Sequence, residues 1–253
     1  MNLIYPDWPA PGNVKAFSTQ RTGGFSDFPY GDIEGRNGLN LAMHVGDDPE
    51  IVHRNRALLR QYLPSEPVWL NQVHGAEVVN AETVVGVPNA DASLTSKQDK
   101  VCTIMTADCL PVLFCTVDGK VVGAAHGGWR GLAAGILQHT VQAIRIKSDA
   151  AIMAWLGPAI GPKAFEVGND VRQAFAFNES IKSQLFVPKK GEAGKFMANI
   201  YGIARVILRD VGINAVYGGN FCTVTDANYF YSFRRDKGQT GRMATGIWLT
   251  SKS

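Results

Sequence analysis

No stretch of this sequence is apolar enough to cross a bilayer. The most apolar segment, Val101 to Val117, is broken by Asp108 and Pro111, short of the roughly 18 clean residues that a spanning helix needs. Basic residues form no run: Lys plus Arg total 25 against 22 acids, a net +3 over 253 residues. That balance argues against a dedicated nucleic-acid binder, which carries a clustered basic stripe. Cysteines are few: Cys102, Cys109, Cys115 and Cys222 make no disulfide-dense pattern in a chain this long. The first residues, MNLIYPDWPAPG, show no basic segment followed by an apolar one, so a secretory signal is not expected and a reduced, cytoplasmic protein is. There is no P-loop and no GxGxxG following a strand, which disfavours ATP-driven and dinucleotide chemistry. Low-complexity blocks, heptads and Pro/Ser-rich linkers are also missing, so residues 1–253 are expected to form one domain.

What is present is an ordinary globular composition, 45% hydrophobic, with a high glycine content of 27 residues that implies tight turns and close backbone approaches. Residues 13–18 read as a strand, followed by the glycine loop Arg21-Thr-Gly-Gly-Phe-Ser26. A helix is expected from Pro49 to Tyr62, with Asp48 as its cap and Pro49 at the first helical position. Short apolar runs predict strands at Val68–Asn71, Ala76–Asn80, Lys100–Thr106 and Pro111–Val117. Asp118-Gly119 then predicts a hairpin into Lys120–Ala125. Helical spacing of Leu132, Ile136, Leu137, Val141 and Ile144 predicts a helix from Leu132 to Ile146. Ala151–Leu156 reads as a buried strand ending in the loop Gly157–Pro162. Asn169 and Asn199 look like caps for helices at 170–177 and 200–211, the second stopped by Gly212, and Met243–Leu249 is the final strand. Hairpin-joined strands interspersed with helices argue for mixed sheets in an α+β or layered α/β architecture.

Three segments share one design, a short strand that delivers a metal-competent side chain into a tight turn. They are Val68–Gly75 with His74, Ile104–Pro111 with Cys109, and Val121–Arg130 with His126. One thiolate and two imidazoles suit zinc, and catalytic zinc sites use three protein ligands with a fourth position open. The spacings, 35 residues and then 17, match no metal motif, so isolated hydrogen-bonded histidines stay open as the alternative. Burying His126 beside glycines and a Trp, however, serves no evident packing purpose. Asp108, next to Cys109, is placed to orient a ligand or shuttle a proton. Cys102, Cys115 and Cys222 read as strand core, and His53 and His139 as solvated helix positions. His44, beside Asp47 and Asp48, is ambiguous.

Arginines in glycine contexts form a second constellation: Arg21, Arg130 in Gly-Gly-Trp-Arg-Gly, and Arg234 after the aromatic run Tyr229–Phe233. Guanidinium groups beside exposed main-chain N–H groups suit an oxyanion, although each could equally satisfy loop carbonyls. The aromatics could stack on a planar base or simply be core.

Arg21-Thr-Gly-Gly-Phe-Ser, Asn40–Pro49, Asn55-Arg56, Asn71-Gln-Val-His-Gly75, Thr106-Ala-Asp-Cys-Leu-Pro111, Ala125–Leu132, Leu156–Gly161, Phe165-Glu-Val-Gly168 and Ser232-Phe-Arg-Arg-Asp236 together resemble the YfiH/YlmD family. That family has been called the multicopper polyphenol oxidase or laccase-domain family and, later, the purine nucleoside phosphorylase family. The resemblance spans about residues 16–247. It implies a four-layer α/β/β/α sandwich with mixed sheets and a zinc site on His74, Cys109 and His126. The activities it implies are phosphorolysis of adenosine, inosine and 5′-methylthioadenosine, together with deamination of adenosine. By the same motifs Arg21, Asn40, Arg56, Gln72, Arg130 and Arg234 are expected to contact nucleoside or phosphate. The partners are then small molecules, and the chain is expected to be a monomer or a weak homo-oligomer. Two departures stand out: Gly127-Gly128 where many members have Ala-Gly, and Ser232-Phe233 where many have Ser-Tyr.

Two rival chemistries stay open at this stage. Copper could occupy a His₂Cys site in a polyphenol oxidase, but five histidines and no HxH pair are poor material for a multicopper enzyme. Alternatively, Cys109 with a histidine base could act as the nucleophile of a cysteine hydrolase or amidase on peptidoglycan precursors.

Overall fold

A computed structural model describes residues 1–251. The chain opens with β1 (Leu3–Ile4), β2 (Val14–Thr19), β3 (Thr22–Ser26) and α1 (Pro49–Arg60). Next come β4 (Val78–Asn80), β5 (Ala92–Thr95), β6 (Cys102–Thr106), β7 (Leu110–Thr116) and β8 (Val122–Gly127). Helices α2 (Trp129–Ala134) and α3 (Ile136–Lys147) are followed by β9 (Ile152–Leu156), β10 (Glu166–Gly168), α4 (Asn169–Ala174) and α5 (Glu179–Gln184). The chain closes with β11 (Phe186–Pro188), β12 (Lys195–Ala198), α6 (Ile200–Asp210), β13 (Val216–Gly218) and β14 (Met243–Leu249).

Two sheets dominate. One is antiparallel with order β1-β2-β14-β6; the other is mixed, β13-β9-β7-β8-β5-β4, with parallel pairs at both edges. Strand alternation explains how they stack. On β7, Leu110, Val112 and Phe114 face the helices, packing with Leu132, Ile136 and Ile203, whereas Leu113 and Cys115 face the other sheet. From that sheet Val14, Ala16, Ile104, Ile247 and Leu249 complete the core between the sheets. Its outer face, through Phe17, Met105 and Ala244, packs against Leu59 of α1 and the loop residues Leu39 and Leu41. The layers therefore run helix, sheet, sheet, helices, as the family resemblance implied.

Local signals account for most element ends. Asp48 accepts from Glu50 N and Pro49 opens α1; Asn199 accepts from Gly202 N and caps α6. Gly119, at φ 64°, makes the turn between β7 and β8. Four expectations need correction. The helix expected at 132–146 starts at Trp129 and is broken at Gly135, whose φ of 94° ends one helix before the next begins. Asn169 is not a cap: Gly168 takes that position without a side-chain bond. Residues 68–71 make only isolated bridges, to Cys102 and Asn89, rather than a strand. Cys222 lies on a half-buried loop, its sulfur accepting from Gly161 N at 3.3 Å.

Candidate functional site

Sheet register gathers the chemistry at one end of the sandwich. Leu110 of β7 pairs with Gly127 of β8, Val112 pairs with Leu156 of β9, and Thr106 of β6 pairs with Met243 of β14. The loops leaving these positions therefore converge although they are far apart in sequence. Cys109 sits in the turn where the chain passes from β6 in one sheet to β7 in the other. His126 is the penultimate residue of β8 and His74 lies in the turn before β4.

One potential ligand atom from each of His74, Cys109 and His126 lies within 4.8 Å of the other two. The histidine rings meet edge to face, with centroids 4.7 Å apart. His126 is buried, Cys109 is half-buried and His74 is exposed, so the cluster is walled on one side and open on the other. Gly128 passes directly over it: a Cβ there would stand 2.7 Å from His74 Nδ1 and 3.2 Å from Cys109 Sγ. Two nitrogens and one sulfur at this spacing, with an open side, fit a zinc-sized cation as a donor set.

Asp91, which sequence reasoning missed, holds the cluster together. Its fully buried carboxylate lies 2.7 Å from His126 Nδ1 and accepts the N–H groups of Val73, His74 and Gly75 at 3.2, 3.0 and 2.7 Å. His74 has a left-handed backbone, φ 59°, and these three bonds keep it there. Burial works to raise the Asp91 pKa, but hydrogen bonds from His126 and the backbone hold it below the usual carboxylate range. Burial likewise works to lower His126, but the Cys109 sulfur and Asp91 outweigh it and raise His126 to about 9. Partial desolvation, reinforced by the charges of His126, Arg130 and Arg242 and opposed by Asp91, lowers the His74 pKa.

The cluster opens into a cavity of about 340 Å³. Its charged and aromatic lining includes Arg130, Arg234, Arg242, Trp129, Phe165 and Phe233. Each arginine lies over a ring: Arg130 on Trp129, Arg234 on Phe165 and Arg242 on Phe233, at 4.4, 6.0 and 5.6 Å to the centroid. Tyr201 fixes another wall: its hydroxyl accepts from Ala159 N and lies 3.1 Å from the carbonyls of both Gly157 and Phe221, between which its one proton is shared, and this shapes the loop carrying Ile160.

The sequence-derived contact residues divide. Arg130, Arg234 and Gln72 line the cavity, although Gln72 spends its amide on Met105, donating to the carbonyl and accepting from the N–H, both at 2.8 Å. Arg21, Asn40 and Arg56 are not among its lining residues and are engaged within the protein. Arg21 is buried against loop carbonyls, donating to Gly31, Asp32 and Ala227. Asn40 is buried and bonded to Ala42, Asp47 and Arg242 N. Arg56 donates to Leu41 O and stacks on Trp69. Asp108 lines the cavity, and its oxygens accept from Thr223 Oγ1 and Arg234 N, both at 2.6 Å, which anchors the 232–236 loop. His44, ambiguous in sequence, lines the cavity, while His53 and His139 are exposed on helices. Arg242 was missed altogether, although Gly241-Arg242 before the last strand repeats the pattern that singled out the other site segments.

Comparison with known proteins points the same way. A family model described as "Multi-copper polyphenol oxidoreductase laccase" matches residues 15–250. A Pseudomonas aeruginosa protein named purine nucleoside phosphorylase is 50% identical, with 97% of this chain and 98% of that protein covered. The Escherichia coli K12 protein named purine nucleoside phosphorylase YfiH is 48% identical, with 98% of each covered. Among solved structures, a Neisseria meningitidis protein superposes with a TM-score of 0.90 at 48% identity, covering 99% of this chain and 100% of that one. YlmD from Geobacillus stearothermophilus gives 0.87 at 27% identity, covering 99% and 97%. With matches that run nearly end to end in both sequence and fold, the chain belongs to the YfiH/YlmD family, the one whose family model carries the laccase description.

Proposed function

We propose that this protein is a metal-dependent purine nucleoside phosphorylase acting on adenosine, inosine and 5′-methylthioadenosine, and that it also deaminates adenosine. The observation that carries the reading is the His74–Cys109–His126 cluster opening into one cavity lined by three arginines and three aromatic rings. The names of the Pseudomonas and Escherichia coli relatives support it.

In phosphorolysis an oxygen of hydrogen phosphate forms a bond to C1′ of the ribose while the C1′–N9 bond breaks. The electron pair goes to the purine, and the proton that the phosphate gives up ends on the base. The chain's own groups serve each part. Phe165, Phe233 and Trp129 offer flat apolar faces to a purine. Arginine N–H groups match phosphate oxygens. Ile160, Ile200 and Met105 exclude water from the reacting bond. His74, Cys109 and His126 would hold the ion, with Asp91 fixing their orientation; zinc suits these donors and copper is the competing metal. When bound, the ion supplies Lewis acidity beside the substrate. In deamination water replaces the exocyclic amine, which leaves as ammonia. Among the described residues the cavity lining offers one carboxylate for the accompanying proton transfers, Asp108.

The test is to incubate the purified protein with inosine and orthophosphate and quantify hypoxanthine and ribose 1-phosphate. Equal amounts of both are expected, falling at least 100-fold in Cys109→Ala and after chelation. An unchanged Cys109→Ala yield would contradict the reading. Activity indifferent to chelators but abolished by thiol alkylation would instead make Cys109 a nucleophile.

A further inference from the structure

Arg242 differs from Arg21 and Arg235 in its surroundings. Arg21 is saturated by loop carbonyls, and Arg235 is paired with Asp236. Arg242 is half-buried, yet among the described residues no carboxylate pairs with it. Its side-chain hydrogen bonds all leave from Nη1, to the carbonyls of Thr240 at 2.8 Å and Gly241 at 3.1 Å. Nη2 and Nε have no such partner among the described residues, and the side chain lines the cavity. A guanidinium taken out of water without a counter-ion is costly, and such an arrangement persists where an anion completes it.

Its main chain is also anchored. Arg242 N donates to Asn40 Oδ1 at 3.0 Å, Leu41 N donates to Arg242 O at 3.3 Å, and the guanidinium rests over Phe233. Arg130 and Arg234 bring two further cations to the same cavity. Among the described residues the one carboxylate in the lining, Asp108, is already engaged by Thr223 and Arg234 N. Three guanidinium groups therefore line the cavity with a single, engaged carboxylate, a lining suited to an anion.

We propose that Arg242 is the principal anion-binding residue of this cavity, gripping the orthophosphate co-substrate through Nη2 and Nε with Arg130 and Arg234 flanking it. The proposal rests on the phosphorolysis reading of the same site. It reassigns the phosphate contact from Arg21 and Arg56 to a residue that the family motifs did not single out.

The test titrates metal-loaded protein, freed of excess ion, with inorganic phosphate and separately with inosine by calorimetry. Arg242→Gln is expected to weaken phosphate at least tenfold, about 1.4 kcal/mol, with inosine affinity within twofold of the wild type. A smaller phosphate loss, an equal loss of inosine, or no phosphate binding by the wild type overturns the proposal. Should Arg242→Gln fail to fold, Arg242→Lys decides. It keeps the charge but not the two-pronged grip, so a selective phosphate loss of at least threefold supports the proposal and none overturns it. Because binding is read without turnover, a protein that grips phosphate through Arg242 but forms no ribose 1-phosphate refutes only the activity. Phosphorolysis whose phosphate KM is unmoved in Arg242→Gln refutes only the role of Arg242.

Discussion

Asp91 Oδ1 lies 2.7 Å from His126 Nδ1, and the same carboxylate accepts three successive N–H groups from the turn that carries His74. One buried acid therefore sets the ring orientation of one proposed ligand and the backbone of another. Carboxylate partners of metal-binding histidines are typically worth 10–100-fold in metal affinity. Asp91→Ala is expected to weaken zinc binding within that range, measured by competition against a chromophoric chelator, and an unchanged affinity would show that the ligands orient themselves.

Gly128 tests the close passage of main chain over the cluster. Its φ of −66° and ψ of 153° suit any residue, so Gly128→Ala brings no backbone strain. The new methyl would nevertheless meet His74 Nδ1 at 2.7 Å. Zinc affinity is expected to fall at least tenfold while the metal-free protein melts within a few degrees of the wild type. Full metal affinity in the variant would mean that His74 can move aside freely.

Arg21 separates a structural from a substrate-binding role. Its guanidinium donates four hydrogen bonds to carbonyls of Gly31, Asp32 and Ala227 and lies over Tyr231. Arg21→Met leaves those buried carbonyls unmet, at a cost on the order of 3 kcal/mol, or a melting temperature lower by roughly 5–10 °C for a chain this size. The phosphate KM of the folded fraction is expected to stay unchanged; a selective rise in it would return Arg21 to the site.

Acid stability has one separable contribution at Glu82. Its carboxylate accepts from Ser96 N and Oγ, both at 2.8 Å, and from Lys147 Nζ at 3.2 Å. The Ser96 N–H is the largest cause of a pKa lowered from 4.5 to about 2. A depressed folded-state pKa means that the ionised form favours the fold. Its contribution is complete above about pH 4.5 and disappears as pH falls through about 2. The difference in urea midpoint between wild type and Glu82→Gln is expected to be constant from pH 7 to pH 5 and to vanish near pH 2. A difference independent of pH would exclude the charge as its source.

Much of this was legible in the sequence because it is locally encoded. The Asp48-Pro49 helix start, the Asp118-Gly119 hairpin, and strand alternation such as Leu113 against Phe114 depend on neighbours a few residues away. His74, Cys109 and His126 stood out because each ends an apolar segment beside a turn. The break at Gly135 was harder to read, because a glycine inside a helical pattern is tolerated as often as it ends a helix. Asp91 and Arg242 were hidden for another reason. Their roles arise from strand register across 35 residues to His126 and 202 residues to Asn40, and no local pattern carries that information. Arg21 drew notice for its glycine context, but a glycine-rich loop needs internal donors as readily as it binds an anion.

The most direct test of the site is X-ray absorption at the zinc edge of protein loaded with one equivalent of metal. One sulfur near 2.3 Å, two imidazole nitrogens near 2.0 Å and one exchangeable light-atom neighbour are expected, corresponding to Cys109, His74, His126 and an open position. A shell without sulfur, or one closed by four protein ligands, would contradict a metal centre built from these three residues and open to substrate.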